Sequence, residues 1–209
     1  MIVIKQSRGE FSREEVKITP TFLIYYMIQY TKCYKKAMKV QNLPTILRRL
    51  IMGKIFRFHK DVDTDQIIAS QYLLYPTIEE MKVHTFESLE PDFAATVCPG
   101  DFVVADENFG CGSSREQAPS VLKALGVKAV IAKSFARIFY RNAINIGLPV
   151  IVCKELYEVV KDGDEMSLDM SEGVATVKGV QYSCTKLPAY MQSILDQGGL
   201  IASLNKEEQ

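Results

Sequence analysis

The chain has 209 residues, 47% of them hydrophobic, with 25 basic and 25 acidic side chains. That length buries one sizeable core with room for an appendage. The zero balance hides a split: residues 1–52 hold 10 Lys/Arg against 3 Asp/Glu, while residues 53–209 hold 15 against 22. An acidic main region gives no electrostatic reason to bind nucleic acid.

Residues 1–51 are basic, rich in Tyr and Lys, and carry little sustained periodicity. Thr21–Tyr30 and Thr45–Ile51 are each predicted as a short helix. The apolar run Phe22 to Ile28 is far shorter than the roughly 20 residues of a membrane span. Glu10, Glu14 and Glu15 precede it, against the order of a secretory signal and the acid-poor make-up of a transit peptide. No membrane partner is expected. Met52-Gly53-Lys54 opens a well-patterned region, so Met52 is read as the natural start and residues 1–51 as an extension from an upstream start. The alternative is a native but peripheral extension. Mass spectrometry of the native N-terminus distinguishes them.

From residue 53 the pattern alternates. Lys54–Phe58 reads as a strand, and Phe102–Ala105, after Pro99-Gly100, as a short buried one. Ser114–Leu125 has helical spacing and stops at Gly126. Ala129–Ala132 is a second buried strand, Phe135–Ile146 a helix ended by Gly147 and Pro149, and Pro149–Cys153 a third buried strand. Leu156–Val160 reads as a short helix. Met166–Met170, Val174–Val177 and Val180–Cys184 form a meander pattern, and Pro188–Gln197 a last helix stopped by Gly198-Gly199. Strand–helix–strand units followed by antiparallel strands predict one α/β domain with a mixed sheet over residues 52–209.

The five cysteines, Cys33, Cys98, Cys111, Cys153 and Cys184, include no C-x-x-C pair. A disulfide framework is not expected, and a reducing cytoplasm fits. Iron–sulfur and zinc sites usually draw two ligands from one tight turn, so no metal site is expected within this chain.

The chemically informative segment is Asp106 to Glu116, which contains Asn108-Phe109-Gly110-Cys111-Gly112-Ser113-Ser114-Arg115-Glu116. It follows a strand and is predicted to open a helix. Two glycines let backbone turn sharply near a ligand, and a helix N-terminus offers N–H groups and a positive dipole end to an anion. Arg115 adds a fork matched to a carboxylate. Ser113 and Glu116 also fit a capping box, with Ser113 as N-cap. The only histidines, His59 and His84, lie in no nucleophile pattern. A hydrolase triad is therefore not expected, and both are read as ordinary surface or core residues.

These residues resemble the Gly-Ser-Ser-Arg-Glu loop of the aconitase superfamily. Lys133-Ser134-Phe135-Ala136-Arg137-Ile138 is similar to a second stretch of that family, and Asp61-Val62-Asp63-Thr64-Asp65-Gln66-Ile67-Ile68 to a third. Asn142 to Pro149 fits the version found in separate small subunits. The resemblance implies a swivelling β/β/α domain that closes over a large subunit holding a 4Fe-4S cluster, with no cofactor held by this chain. Cys111 is read as a packing residue. Ser113 is implied as the catalytic base, acting as an alkoxide on the carbon beside a carboxylate. Ser114 and Arg115 are implied to hold substrate carboxylate. Many relatives carry His where this chain has Gln117. That position is expected to lie about one helical turn from the serine and to affect support rather than chemistry.

In the family the loop here formed by Tyr72, Leu73, Leu74 and Tyr75 helps choose substrate. An arginine at the Leu74 position accompanies a third substrate carboxylate. An apolar Leu74 cannot compensate a buried carboxylate but packs an isopropyl group. The resemblance thus favours an isopropylmalate hydro-lyase of leucine biosynthesis over a homoaconitase. A methylmalate or dimethylmalate dehydratase and a non-catalytic anion-binding module remain open.

Overall fold

The structure is a computed structural model that describes residues 52–207. The predicted helices at 21–30 and 45–51, the N-terminal extension and Cys33 lie outside the described residues. Seven strands form one sheet. They are β1 (Gly53–Phe58), β2 (Phe102–Ala105), β3 (Ala129–Ala132), β4 (Val150–Val152), β5 (Glu165–Asp169), β6 (Val174–Val177) and β7 (Val180–Ser183). Their order across the sheet is β4-β3-β2-β1-β5-β6-β7. Strands β1 to β4 are parallel neighbours, β1 pairs antiparallel with β5, and β5–β6–β7 form an antiparallel meander. The sheet is mixed, as the pattern predicts.

Strand alternation divides the core in two. One face sends Phe56, Phe58, Val103, Ala105, Val130, Ala132 and Val150 against the helices. The other sends Ile55, Phe102, Val104, Ala129, Ile131 and Ile151 against Met166, Ala175 and Val177 of the meander. That second cluster exists because the sheet curls. Its outermost strands approach each other: Thr185 N–H donates to the carbonyl of Val152 at 2.8 Å, and the Cys153 thiol to that of Ser183 at 3.4 Å. Cys153 and Cys184 are both buried there, and the Cys184 thiol donates to the carbonyl of Tyr182 at 3.8 Å.

The helices are short. They are α1 (Thr64–Ile67), α2 (Ile78–Met81), α3 (Phe93–Thr96), α4 (Gln117–Ala124), α5 (Arg137–Ile146), α6 (Leu156–Val159), α7 (Ala189–Asp196) and α8 (Leu200–Glu207). Most cover the first face, whereas α6 packs Leu156 into the second cluster. Two 3-10 turns, Ser70–Leu74 and Lys82–His84, lie on either side of α2. Phe58, Phe86 and Phe93 knit this region to β1, with Phe58 stacked on Phe86 at 4.1 Å between centroids. Full burial of a phenylalanine such as Phe86 or Phe93 contributes about 1.5–3 kcal/mol. No helix among the described residues is long and apolar enough to cross a membrane.

The helix predicted from Ser114 begins later. It spans Gln117–Ala124, its N-cap is Glu116, and no side chain caps it. The expected Ser113–Glu116 capping box is therefore absent. Pro119 explains the shift. In a helix starting at Ser114 it would sit in the interior and delete an i→i−4 bond, whereas from Gln117 it falls in the first turn, where no N–H is needed. A capping box does form at Asp63, whose carboxylate accepts from Gln66 N–H at 2.7 Å while Gln66 Oε1 accepts from Asp63 N–H at 3.0 Å.

Candidate functional site

The loops that follow β1, β2 and β3 meet at the carboxyl ends of the parallel strands, the edge where open α/β sheets bind ligands. Backbone hydrogen bonds join them. Asp61 N–H donates to Glu107 O (2.8 Å), Gly110 N–H to Val62 O (2.7 Å) and Thr64 N–H to Cys111 O (2.8 Å). On the other side Phe109 N–H donates to Ser134 O (3.1 Å) and Ala136 N–H to Phe109 O (2.9 Å). Short bridges pair Asp63 with Cys111 and Phe109 with Phe135. The segments 61–68, 108–116 and 133–138, distant in sequence, thus form one surface.

The loop geometry depends on its glycines. Gly110 has φ 78°, and a Cβ there would lie 2.2 Å from Phe139 Cγ. Gly112 has φ 89°, with Thr64 Oγ1 at 3.3 Å from the same construction. Left-handed backbone of this kind suits glycine and strains other residues. Asn108, with φ 59°, is the non-glycine counterpart. Its amide donates to Asp61 Oδ1 at 2.9 Å and its backbone N–H to Ser134 Oγ at 2.8 Å.

Ser113 and Ser114 are exposed. The carbonyl of Ser113 accepts from Thr64 Oγ1 (3.1 Å) and from Arg115 N–H (2.8 Å), which fixes the backbone beneath the side chain. Because α4 starts at Gln117, Ser113 does not sit in a helical first turn, and Gln117 is not one helical turn away from it. The nearest cation along the chain is Arg115, two residues on.

Arg115 is held by three acceptors. Nη1 donates to Asp65 Oδ1 (2.6 Å) and to the carbonyl of Ile68 (3.2 Å), and Nη2 to Ser70 Oγ (2.9 Å). Ser70 Oγ also donates to Asp65 Oδ1 at 2.8 Å. A guanidinium has five N–H donors, so these contacts leave two. The Arg115 hydrogen bond, and after it that of Ser70, holds the Asp65 carboxyl below its ordinary range. Asp65, Thr64 and Ser70 are site residues to which the sequence reading gives no role. Asp65 lies inside the quoted Asp61–Ile68 motif, but its pairing with Arg115, 50 positions away, has no local signal.

Leu73 turns inward and packs against the core, whereas Leu74 is 87% exposed and Tyr75 38% exposed. Tyr72 stacks on His84 with ring centroids 3.8 Å apart and planes at 6°. Glu87 accepts hydrogen bonds from Tyr72 and His84; the Tyr72 bond is the main cause that lowers the carboxyl, and it raises the phenol. His84 is thus part of a built cluster, not an ordinary surface residue. Below the loop, Lys133 contacts Asp106 Oδ1 at 2.8 Å and Glu158 Oε1 at 2.5 Å, and the Asp106 contact is the main cause that raises the ammonium above its usual range. The Asp106 contact is ionic, since Oδ1 has no well-directed hydrogen bond among the described residues.

Among the described residues no three His, Cys, Asp or Glu side chains are placed to hold a metal ion. Burial, then Asp63 and Asp61, push the Cys111 thiol up, away from the thiolate that ligates iron. These residues do not fit an iron–sulfur cluster.

The Aconitase C-terminal domain family matches residues 57–155. The 3-isopropylmalate dehydratase small subunit 1 of Archaeoglobus fulgidus is 54% identical over 152 residues, covering 72% of this chain and 94% of the relative. The 2,3-dimethylmalate dehydratase small subunit of Eubacterium barkeri is 48% identical, covering 75% and 97%. The solved structure of a 3-isopropylmalate dehydratase chain from Methanocaldococcus jannaschii superposes with a TM-score of 0.72 at 43% identity, covering 76% of this chain and 95% of that one.

Proposed function

The chain belongs to the family of dehydratase small subunits built on the aconitase C-terminal domain, and from that premise we propose that it acts on 2-isopropylmalate. In this reading it closes over a large subunit that carries the 4Fe-4S cluster, and the pair interconverts 2- and 3-isopropylmalate for leucine biosynthesis in the cytoplasm. Residues 52–209 are the swivelling domain, and residues 1–51 an extension. The cluster belongs to the large subunit, and the work of this chain is done by its own side chains. Ser113 Oγ takes the proton from the carbon beside a substrate carboxylate. Arg115 favours the alkoxide by its positive charge, and its two remaining N–H groups, with Ser114, hold the carboxylate.

The observation that carries this reading is the convergence of three loops around two exposed serines and a guanidinium oriented by Asp65. Leu74 is 87% exposed, so its apolar side chain is available to an alkyl group and offers no partner to a third carboxylate. The 48% identity to a 2,3-dimethylmalate dehydratase subunit favours that substrate as the second reading, since it too bears alkyl groups where a third carboxylate would sit. The test is the complex of this chain with its large subunit, assayed on isopropylmalate, dimethylmalate and homoaconitate. Isopropylmalate turnover is expected to be fastest. Preference for homoaconitate would exclude the substrate assignment, and an assembled pair inactive on all three would leave the anion-binding module.

A further inference from the structure

The turn Ser70–Leu74 contains no fully buried residue. Its ends are framed by the backbone hydrogen bonds from Tyr72 N–H to Ala69 O (3.0 Å) and from Tyr75 N–H to Tyr72 O (3.1 Å). Such 3-10 turns have weak hydrogen-bond geometry, and Pro76, which follows, has no N–H to add. The start of the turn is tied to the site by Ser70, which Arg115 engages. Its end is held differently. His84 lies flat on Tyr72, and Tyr75 tilts against both rings at 5.6 Å from His84 and 5.9 Å from Tyr72. Glu87 Oε2 lies 3.2 Å from His84 Nδ1 and tethers the imidazole. This platform is rooted in the core through Phe86, which is fully buried, stacks on Phe58 and donates its N–H to Ile67 O at 2.9 Å.

We propose that His84 is a specificity-positioning residue, whose stack on Tyr72 and tether to Glu87 fix the direction in which Leu74 projects. The inference rests on the reading of Leu74 as substrate-facing. The rooted imidazole holds Tyr72 and Tyr75 on either side of Leu74, and the Arg115–Ser70 contact holds the start of the turn, so the backbone that carries the leucine keeps one course. Binding of an alkyl group through a single exposed side chain requires that pose to be set before substrate arrives.

The experiment uses the full chain paired with its large subunit. His84→Ala is expected to raise KM for 2-isopropylmalate about 10-fold with kcat within about twofold. His84→Phe, which retains a flat ring, is expected to restore KM. Amide hydrogen exchange at Tyr72–Tyr75 in the full chain alone should quicken in His84→Ala and return to normal in His84→Phe. An unchanged KM in His84→Ala, or a His84→Phe variant as impaired as His84→Ala, overturns the proposal. If the wild-type pair does not turn over isopropylmalate, the substrate reading fails separately. Exchange then decides the clasp, and unchanged exchange in His84→Ala overturns it.

Discussion

The loop from Asp106 to Glu116 and the turn from Ser70 to Leu74 meet through one arginine, yet they are built by opposite means. The first is woven into its neighbours by backbone hydrogen bonds on both sides, with Gly110 at a position that admits no side chain. The second has its own 3-10 backbone bonds but is fastened to its surroundings by side chains: Ser70 at one end, the Tyr72–His84–Glu87 cluster at the other. Backbone bonds do not depend on which residues make them, so the first loop keeps its shape until its glycines change. Side-chain contacts change with every substitution, so the second can be retuned residue by residue. The division suits a site whose chemistry stays constant while substrate preference varies. The first loop carries the proposed base, and the second the proposed selector.

The sharpest way to break this comparison is Ser113→Ala. It should lower kcat of the assembled pair roughly 10²–10⁴-fold while thermal unfolding and subunit assembly stay as in wild type, because the exposed hydroxyl supports no packing. Full activity in the variant would remove the base assignment. Gly110→Ala should instead damage the fold. Its Cβ meets Phe139 at 2.2 Å with φ 78°, and overpacking of this kind costs about 1–3 kcal/mol, read as a lower urea midpoint. Leu74→Arg tests the selector. The ratio of kcat/KM for homoaconitate over isopropylmalate should rise by about 10-fold or more with little change in stability, as the residue is almost fully solvated.

Asp65→Asn joins the two loops in one test. Because Arg115 and Ser70 lower the Asp65 carboxyl in the folded chain, the associated stability is fully present above the unfolded value of about 3.9. It is lost as pH falls through the lower native value. The advantage of wild type over Asp65→Asn in urea unfolding should therefore hold at neutral pH and vanish in strong acid. Half of the Asp65 side chain is solvated, so the effect is small. A gap that persisted below both values would refute the linkage. Gln117→His is expected to be smallest, changing kcat/KM by no more than about twofold.

The strands were legible because they are short apolar runs between turn residues. Phe102–Ala105, Ala129–Ala132 and Val174–Val177 coincide with their predicted bounds, since strand limits there follow from local burial. The start of α4 was also written locally, in Pro119, although the glycine and serine pattern outweighed it. Helices α1, α2 and α3 were not read, because four residues make too few turns to show a period, and the eight-residue α8 was not read either.

The amino-acid sequence by itself determined the mixed α/β class, the central buried strands, and the three motifs that carry the chemistry. All depend on residues near one another along the chain. Tertiary structure alone decided that Asp65 pairs with Arg115, that Leu73 turns inward while Leu74 points out, that His84 lies on Tyr72, and that the two edge strands approach each other at Cys153 and Cys184. The closest of these pairings spans 12 positions and the others about 30 to 50. A contact at such separation is set by how the sheet curls and which loops share an edge, and no local periodicity encodes either.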